Sequence, residues 1–175
     1  MPSEMKEYWL TGSVEGVPDL LLPVAHALLQ ARQDVEHLIS DLPRELLWTR
    51  PGAAASVGFH LLHLAGSVDR LLTYARGGTL TPAQREALAL ERAGGDPDVG
   101  ADVLLGIVLH SLDSALQQVR HTDPTALVQE RRIGKAQLPT TVHGLLFHAA
   151  EHCSRHVGQI TTTLKILRGM PTYLG

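Results

Sequence analysis

The sequence is poor in cysteine, in aromatic residues and in long apolar runs, and each shortage excludes a class of protein. Its one cysteine, Cys153, excludes an intrachain disulfide framework and fits a reducing cytoplasm best. Aromatic residues make up only 4%, so the core must be built mainly from Leu, Val and Ala. No apolar run approaches the roughly 18–20 residues that span a bilayer, and the first residues lack the pattern of a signal peptide. We therefore expect a cytoplasmic protein with no membrane association.

Positive charge is not in excess either. The 15 Lys and Arg residues are outnumbered by 18 Asp and Glu residues, which gives a net charge of −3. A chain of this charge lacks the strong basic field that attracts nucleic acids, and no run of basic residues exceeds Arg131-Arg132. We expect no nucleic-acid partner. The length of 175 residues and the 44% of hydrophobic residues fit a single globular domain over residues 1–175, with its core at about 17–168.

Apolar residues recur at three- and four-residue steps in four long segments, a spacing that predicts α-helices. Ser56 and the pair Thr81-Pro82 are typical helix starts. In the third long segment the apolar stripe includes Val103 and Ile107, which we expect in the core. The predicted long helices cover residues 17–42, 56–76, 98–122 and 140–167, and a short helix covers 81–92.

Four long helices in a chain of this size predict an all-α fold, a four-helix bundle with a short extra helix between the second and third long helices. The connection between the first and second long helices and the one between the third and fourth are both long. They therefore allow topologies other than up-down-up-down. The stretch at 125–139 is irregular, although Leu127, Val128 and Ile133 could form a short extended piece, and alternating strand patterns are absent.

Ten histidines are present, and several are clustered. His148, His152 and His156 follow one another at four-residue steps, so they can lie along one helix face. On a helical wheel, His152 and His156 flank the apolar stripe, whereas His148 points further away. Two imidazoles at this spacing can share one metal ion, because Zn–N bonds are about 2.0–2.1 Å long. A third ligand must come from elsewhere, and the second long helix offers His60 and His63. On the helical wheel of this second long helix, His60 lies closer to the apolar stripe than His63 does.

Two other interpretations of the same residues are weaker. The run from His148 to His152 matches the H-x-x-E-H pattern of inverted zinc peptidases, but this leaves His156 without a role. That pattern also needs a further ligand, and no acidic residue follows His152. Cys153 could act as a nucleophile, but it lies at the centre of the apolar stripe, where a buried and inert thiol is expected.

Two short motifs carry a resemblance to a known family. The first is the helix opened by Ser56 and containing His63-Leu64, preceded by Trp48 and Pro51; the second is the stretch at 152–160, HCSRHVGQI. Together with the order of the helices, they resemble the DinB/YfiT-like family of bacterial metal-binding four-helix bundles. The resemblance extends from about residue 17 to residue 167, and the motif in the fourth long helix is the more specific one.

The resemblance implies that a divalent ion, zinc or nickel, is held by His63, His152 and His156. His60 would then support a ligand or substitute for one. Such a site would lower the pKa of a bound water or thiol, and relatives include transferases that use low-molecular-weight thiols. The implied function is therefore a metal-dependent S-transferase or hydrolase acting on a small molecule, with a homodimer as the assembly. Relatives that use mycothiol carry a carboxylate among their ligands, whereas this sequence offers only histidines.

Two other functions remain open. The ion could serve only to hold the helices together in a metal-binding or stress-response protein, which predicts strong destabilisation by chelators. Alternatively the bundle is an interaction module in which the histidines are incidental, which predicts no bound metal.

Overall fold

The computed structural model describes residues 7–169 and is built around helices. Six α-helices and one β-hairpin occur in this part of the chain, with single 3-10 turns at Tyr8–Leu10, Asp19–Leu21 and Pro124–Ala126. The helices are α1 (Leu22–Ile39), α2 (Arg44–Trp48), α3 (Val57–Ala75), α4 (Pro82–Arg92), α5 (Ala101–Arg120) and α6 (Val142–Gly169). The hairpin strands are β1 (Glu130–Ile133) and β2 (Leu138–Thr141).

The four long helices α1, α3, α5 and α6 form a bundle, as the sequence predicts. Helix α3 packs mainly against α5 and α6, and α1 packs against the same two helices. Helices α1 and α3 therefore occupy opposite corners of the bundle, and so do α5 and α6. The two long connections, which contain α2 and the hairpin, each run between opposite corners, so the topology is not a simple up-down-up-down arrangement.

The first residues of two helices are set by capping side chains that the sequence analysis identified. The Ser56 hydroxyl accepts a hydrogen bond from the backbone N–H of Phe59 at 3.2 Å, and so caps α3. Thr81 and Gln84 form a capping box at the start of α4, which contains Pro82 in its first turn. Helix α1 starts at Leu22, later than the expected residue 17, because a 3-10 turn at Asp19–Leu21 precedes it.

Two elements and two core positions differ from expectation. Residues 44–48 form α2, beyond the end of the expected first helix. The hairpin begins in the stretch expected to be irregular and extends through Thr141, so the fourth long helix starts at Val142 and not at residue 140. The hairpin pairs Ile133 with Leu138, and its turn places Gly134 and Gln137 at positive φ. Val103 and Ile107, expected in the core, are 50% and 44% exposed. They lie beside the inward-facing row of α5, so the buried stripe is narrower than the sequence suggests.

Trp48 at the end of α2 fixes the entry into α3. Its indole N–H donates to the Val99 carbonyl at 2.9 Å, and its ring lies directly against the backbone of Gly58. A Cβ added at Gly58 would stand 2.7 Å from the ring, too close for any side chain without a shift. Glycine at this position therefore allows α2 to pack on the first turn of α3, just before the helix presents its histidines.

The interior of the bundle consists mainly of leucine, valine and alanine, as the low aromatic content requires. Fully buried examples from the four long helices are Leu28, Leu61, Leu112, Leu146 and Ile160. Within residues 7–169, no helix combines the length and the apolar character that crossing a bilayer requires.

Candidate metal centre

Three imidazoles from two helices converge at one point. The Nε2 atom of His152 lies 3.0 Å from Nε2 of His63 and 3.1 Å from Nε2 of His156. His152 and His156 are one turn apart on α6, whereas His63 reaches them from α3. Each of the three residues offers one nitrogen, and these nitrogens lie within 4.8 Å of one another. The structure thus brings together the three histidines that the family resemblance singled out.

Burial of the α6 histidines follows the order given by the helical wheel. His156 is buried, with 6% of its surface exposed, and His152 is half-buried. His148 is exposed and its Nδ1 contacts the Glu151 carboxylate at 2.7 Å. His148, Glu151 and His152 also form a second, outer group of potential ligands. That group is more exposed, and Glu151 also accepts hydrogen bonds from Arg155 at 2.7 Å.

His60 lies behind the three converging rings. It is 7% exposed, and its Nδ1 is 3.1 Å from Nδ1 of His156. The wheel correctly gave His60 the more buried position, but the ring that meets His152 belongs to His63. His60 and His156 share one hydrogen bond through their Nδ1 atoms. This bond turns Nε2 of His156 towards the other two histidines.

Glu91 on α4 holds His63 from the opposite side, and no sequence pattern indicated this role. Its Oε1 lies 2.6 Å from Nδ1 of His63, and Arg70 donates to its Oε2 at 3.1 Å. Gly66 allows this approach, because a Cβ there would lie 3.0 Å from the Glu91 carboxylate and 2.8 Å from the Arg70 guanidinium. A carboxylate accepts only, so Nδ1 of His63 is the donor, and in the neutral ring Nε2 carries the lone pair.

Burial of Glu91, which is 6% exposed, would by itself raise the pKa of its carboxyl group. The hydrogen bond from His63 and the nearby Arg70 outweigh this effect, and they hold the pKa of Glu91 below its ordinary value. The carboxylate is therefore charged at neutral pH. A charged acceptor makes the orienting hydrogen bond to His63 stronger than a neutral one would be.

His152 and His156 are neutral over the physiological range. Burial, reinforced by the positive charge that the neighbouring histidines would carry, lowers the pKa of His152 to about 4 and the pKa of His156 to about 3. Neutral imidazoles are the form that binds metal ions. Nδ1 of His152 is buried and has no hydrogen-bond partner among the residues described. The polar contacts of this ring are therefore made through Nε2, at the point of convergence.

The spacing of the three nitrogens fits a small divalent ion. Two nitrogens bound to zinc at about 2.0–2.1 Å in tetrahedral geometry are about 3.3 Å apart. The observed separations of 3.0 and 3.1 Å are close to this value. Without an ion, the one Nε2 proton that neutral His152 can carry satisfies only one of its two imidazole contacts. The donor set, its spacing and its protonation state thus fit a metal ion.

Cys153 takes no part in this site. Its side chain is fully buried, and burial raises the pKa of its thiol to about 12. A thiol with this pKa is not a nucleophile at neutral pH. The expectation of a buried core cysteine is confirmed, and its lack of reactivity stays a prediction.

A family model described as the DinB superfamily matches residues 27–160. The matched part begins in α1, spans the bundle and ends in α6 beyond His156, so it contains all of the converging histidines and Glu91. No curated protein matches the sequence.

Proposed function

This chain belongs to the DinB superfamily, and we propose that it is a divalent-metal-dependent enzyme whose ion is held by His63, His152 and His156. The observation that carries the proposal is the convergence of three Nε2 atoms, with separations of 3.0 and 3.1 Å, from helices α3 and α6. Imidazole ligands of this kind suit zinc and nickel, and these are the metals that we propose.

The residues around the ligands favour a preorganised site. Glu91 fixes the tautomer of His63, and the hydrogen bond shared with Nδ1 of His60 fixes the orientation of the His156 ring. Phe59 stacks on the His63 ring, with 5.7 Å between the centroids and 5° between the planes. Hydrogen bonds from outer residues typically orient ligands and raise their affinity for metal. Two of the three ligands have such a partner here.

The number of ligands favours a catalytic site over a purely structural one. Within residues 7–169, the converging group contains three potential ligand residues and no fourth, and structural zinc sites almost always have four protein ligands. The His63 side chain is 27% exposed, so the cluster is reachable from solvent. When bound, the ion would lower the pKa of a small nucleophile in its open position and stabilise developing negative charge.

The reaction that we propose is transfer of a low-molecular-weight thiol to a small electrophile, or hydrolysis of a small molecule. In either reaction His63, His152 and His156 would serve as ligands of the ion. Cys153 is excluded as the nucleophile by its burial, and the nucleophile of the proposed reaction is a thiol or a water molecule from solution. The homodimer and the cytoplasmic location stay predictions.

A second candidate function follows from the origin of the ligands. Since His63 lies on α3 and His152 on α6, an ion between them would also join two neighbouring helices of the bundle. In a non-catalytic metal-binding protein, the only role of the ion would be to hold these two helices together. Such a protein would lose stability on chelation and show no turnover with any thiol or water.

The first experiment is a metal analysis of untagged protein by inductively coupled plasma mass spectrometry. We expect about one zinc or nickel ion per chain, lost in His63→Ala and in His152→Ala. His60→Ala should keep its metal, as should the matched control His148→Ala, which removes an exposed imidazole from the same helix as His152. Absence of metal from the wild type, even after reconstitution, would overturn the proposal. Loss in His60→Ala alone among the α3 variants would overturn the ligand assignment.

Activity separates the two candidate functions. Turnover of an electrophile with a small thiol, or hydrolysis of an activated ester, should disappear in His63→Ala together with the metal. A protein that binds metal and melts lower after chelation, but catalyses neither reaction, is the non-catalytic alternative.

A further inference from the structure

A concave groove lies away from the histidines, between α4, the end of α3 and the β-hairpin. Its volume is about 920 Å³. The side chains that line it are unusual for an acidic protein, because five of them are cationic and only one is acidic. The cationic residues are Arg85, Arg92, Arg131, Arg132 and Lys135, and the acidic one is Glu130. One third of the 15 Lys and Arg residues of the chain therefore surround a single cavity.

Helix α4 contributes two of these cations through one of its faces. Arg85, Leu88 and Arg92 follow one another at steps of three and four residues, so they lie along the same face of the helix. A different face of α4 is turned to α3, because Gln84 donates to Asp69 and Glu91 contacts His63. The short helix thus separates the groove from the histidine cluster.

The hairpin contributes the other three cations and is docked onto α3. The Arg131 guanidinium donates through Nε to the Ala75 carbonyl at 2.9 Å and through another nitrogen to the Gln129 amide oxygen at 3.2 Å. The guanidinium is therefore fixed in place before any ligand arrives.

Most of this positive charge is not neutralised by the protein. Glu130 is paired with Arg132. The hydrogen-bond acceptors of Arg131 are all neutral oxygens. Arg85, Arg92 and Lys135 have no acidic partner in the part of the chain that the structure describes. The groove therefore carries an excess of about four positive charges, which attracts anions.

The shape and the remaining lining indicate the kind of anion. The volume of about 920 Å³ lies within the range of about 300–1,000 Å³ that is usual for small-molecule sites. Tyr74, Leu80 and Leu88 add an aromatic and two aliphatic side chains to the wall. A nucleic acid would need a basic track across the surface, whereas these cations face one cavity.

We propose that this groove binds a small organic anion that bears phosphate or carboxylate groups. Arginine side chains match both groups through paired N–H donors, and the apolar wall would contact the organic part of the ligand. The site is separate from the histidine cluster, so the proposal does not depend on the identity of the metal or on the reaction.

The test is isothermal titration calorimetry with phosphoenolpyruvate as the probe, because this molecule carries both anionic groups. Inorganic phosphate and single-stranded polyuridylate serve as further probes. We expect phosphoenolpyruvate to bind more tightly than inorganic phosphate, and added NaCl to weaken binding. The double variant Arg85→Gln/Arg92→Gln should bind it about tenfold more weakly. Both arginines are exposed and make no ion pair with the residues that the structure describes, so this variant should fold, as circular dichroism would verify.

Two controls locate the binding. Lys165→Gln/Arg168→Gln removes the same charge from an exposed part of α6 and should leave the affinity unchanged. His152→Ala should also bind normally, because the groove does not contain the histidines. No heat with either small anion, equal weakening in the α6 control, or loss of binding in His152→Ala would each overturn the proposal. It would be overturned as well if polyuridylate bound more tightly than phosphoenolpyruvate and this binding depended on Arg85 and Arg92.

Discussion

The Glu91 carboxylate accepts a hydrogen bond from Nδ1 of His63, with 2.6 Å between Oε1 and Nδ1, while Nε2 of the same ring faces His152. The carboxylate is buried on a short helix outside the four-helix bundle, and Arg70 holds its second oxygen. A residue outside the ligand set thus determines which nitrogen of His63 is available.

Replacing Glu91 by glutamine should weaken metal binding by about ten- to hundredfold, the usual effect of altering a hydrogen-bond partner of a metal ligand. The Glu91→Gln side chain would keep a neutral acceptor near His63 but lose the negative charge that strengthens the hydrogen bond. Competition with a fluorescent zinc chelator measures the affinity. The control is Glu86→Gln, because Glu86 is exposed on the same helix. An unchanged affinity in Glu91→Gln would show that the carboxylate does not orient the ligand.

The metal-free protein should lose stability as the pH falls from neutral to about 5. Burial lowers the pKa of His152 to about 4 and the pKa of His156 to about 3 from the ordinary value of 6.5. Below pH 6.5 the unfolded chain therefore binds protons that the folded chain does not, which favours unfolding. The free energy of unfolding then rises with pH across this window and levels off above it. Urea titrations of chelator-treated protein measure this dependence.

The control for this pH dependence is the double variant His152→Gln/His156→Gln, which removes these two imidazoles and leaves His60, whose pKa burial also lowers. Its unfolding midpoint should vary less than that of the wild type between neutral pH and about pH 5. An equal dependence in both proteins would assign the effect to other groups.

Cys153 should not react with Ellman's reagent in the folded protein at slightly alkaline pH. The side chain has 0% exposure, so the reagent cannot reach the sulfur atom. Burial also raises the pKa of the thiol to about 12, so the reactive thiolate is not formed at this pH. In concentrated guanidinium chloride the one cysteine of the chain should react fully. Rapid reaction of the native protein would mean that α6 opens locally at this residue.

Gly58→Ala should destabilise the protein by about 1–2 kcal/mol, because the added methyl group meets the Trp48 ring. A Cβ at this position would lie 2.7 Å from that ring. The sign of the change in unfolding free energy is informative, because alanine is normally favoured over glycine inside a helix by about 1 kcal/mol. Gly106→Ala is the matched control: nothing lies within 4 Å of a Cβ there, so it should be neutral or stabilising. Thermal unfolding of both variants gives the comparison.

The histidine pattern was readable from the sequence because helical periodicity is local. His152 and His156 are four residues apart, so their shared face follows from the helix itself, and their position beside the apolar stripe follows from the wheel. The wheel also gave His60 its buried place correctly. It could not show that the ring of the less buried His63 reaches His152, because that depends on how α3 packs on α6.

Other features escaped because they depend on contacts between separate segments. Gln84 and Glu91 share a face of α4, but nothing in the sequence says which helix that face meets. The basic groove was missed because its cations come from α4 and from the hairpin, and only Arg131-Arg132 are adjacent. Strands of four residues are too short to show alternation. Pro43 directly follows the predicted first helix at 17–42, but it stands at the N-cap of a further helix, α2.

The converging rings of His63 and His152 are separated by 89 positions in the sequence. Closing a chain segment of this length costs conformational entropy, which is recovered only when the bundle packs. The complete set of three ligands thus exists only in the folded state, while an unfolded chain retains at most the local pair on α6. An ion that needs all three imidazoles therefore binds the native chain and not the unfolded chain. Its binding then increases the free energy of unfolding, by an amount that depends on its affinity and concentration. Metal occupancy would then report on the integrity of the bundle as a whole.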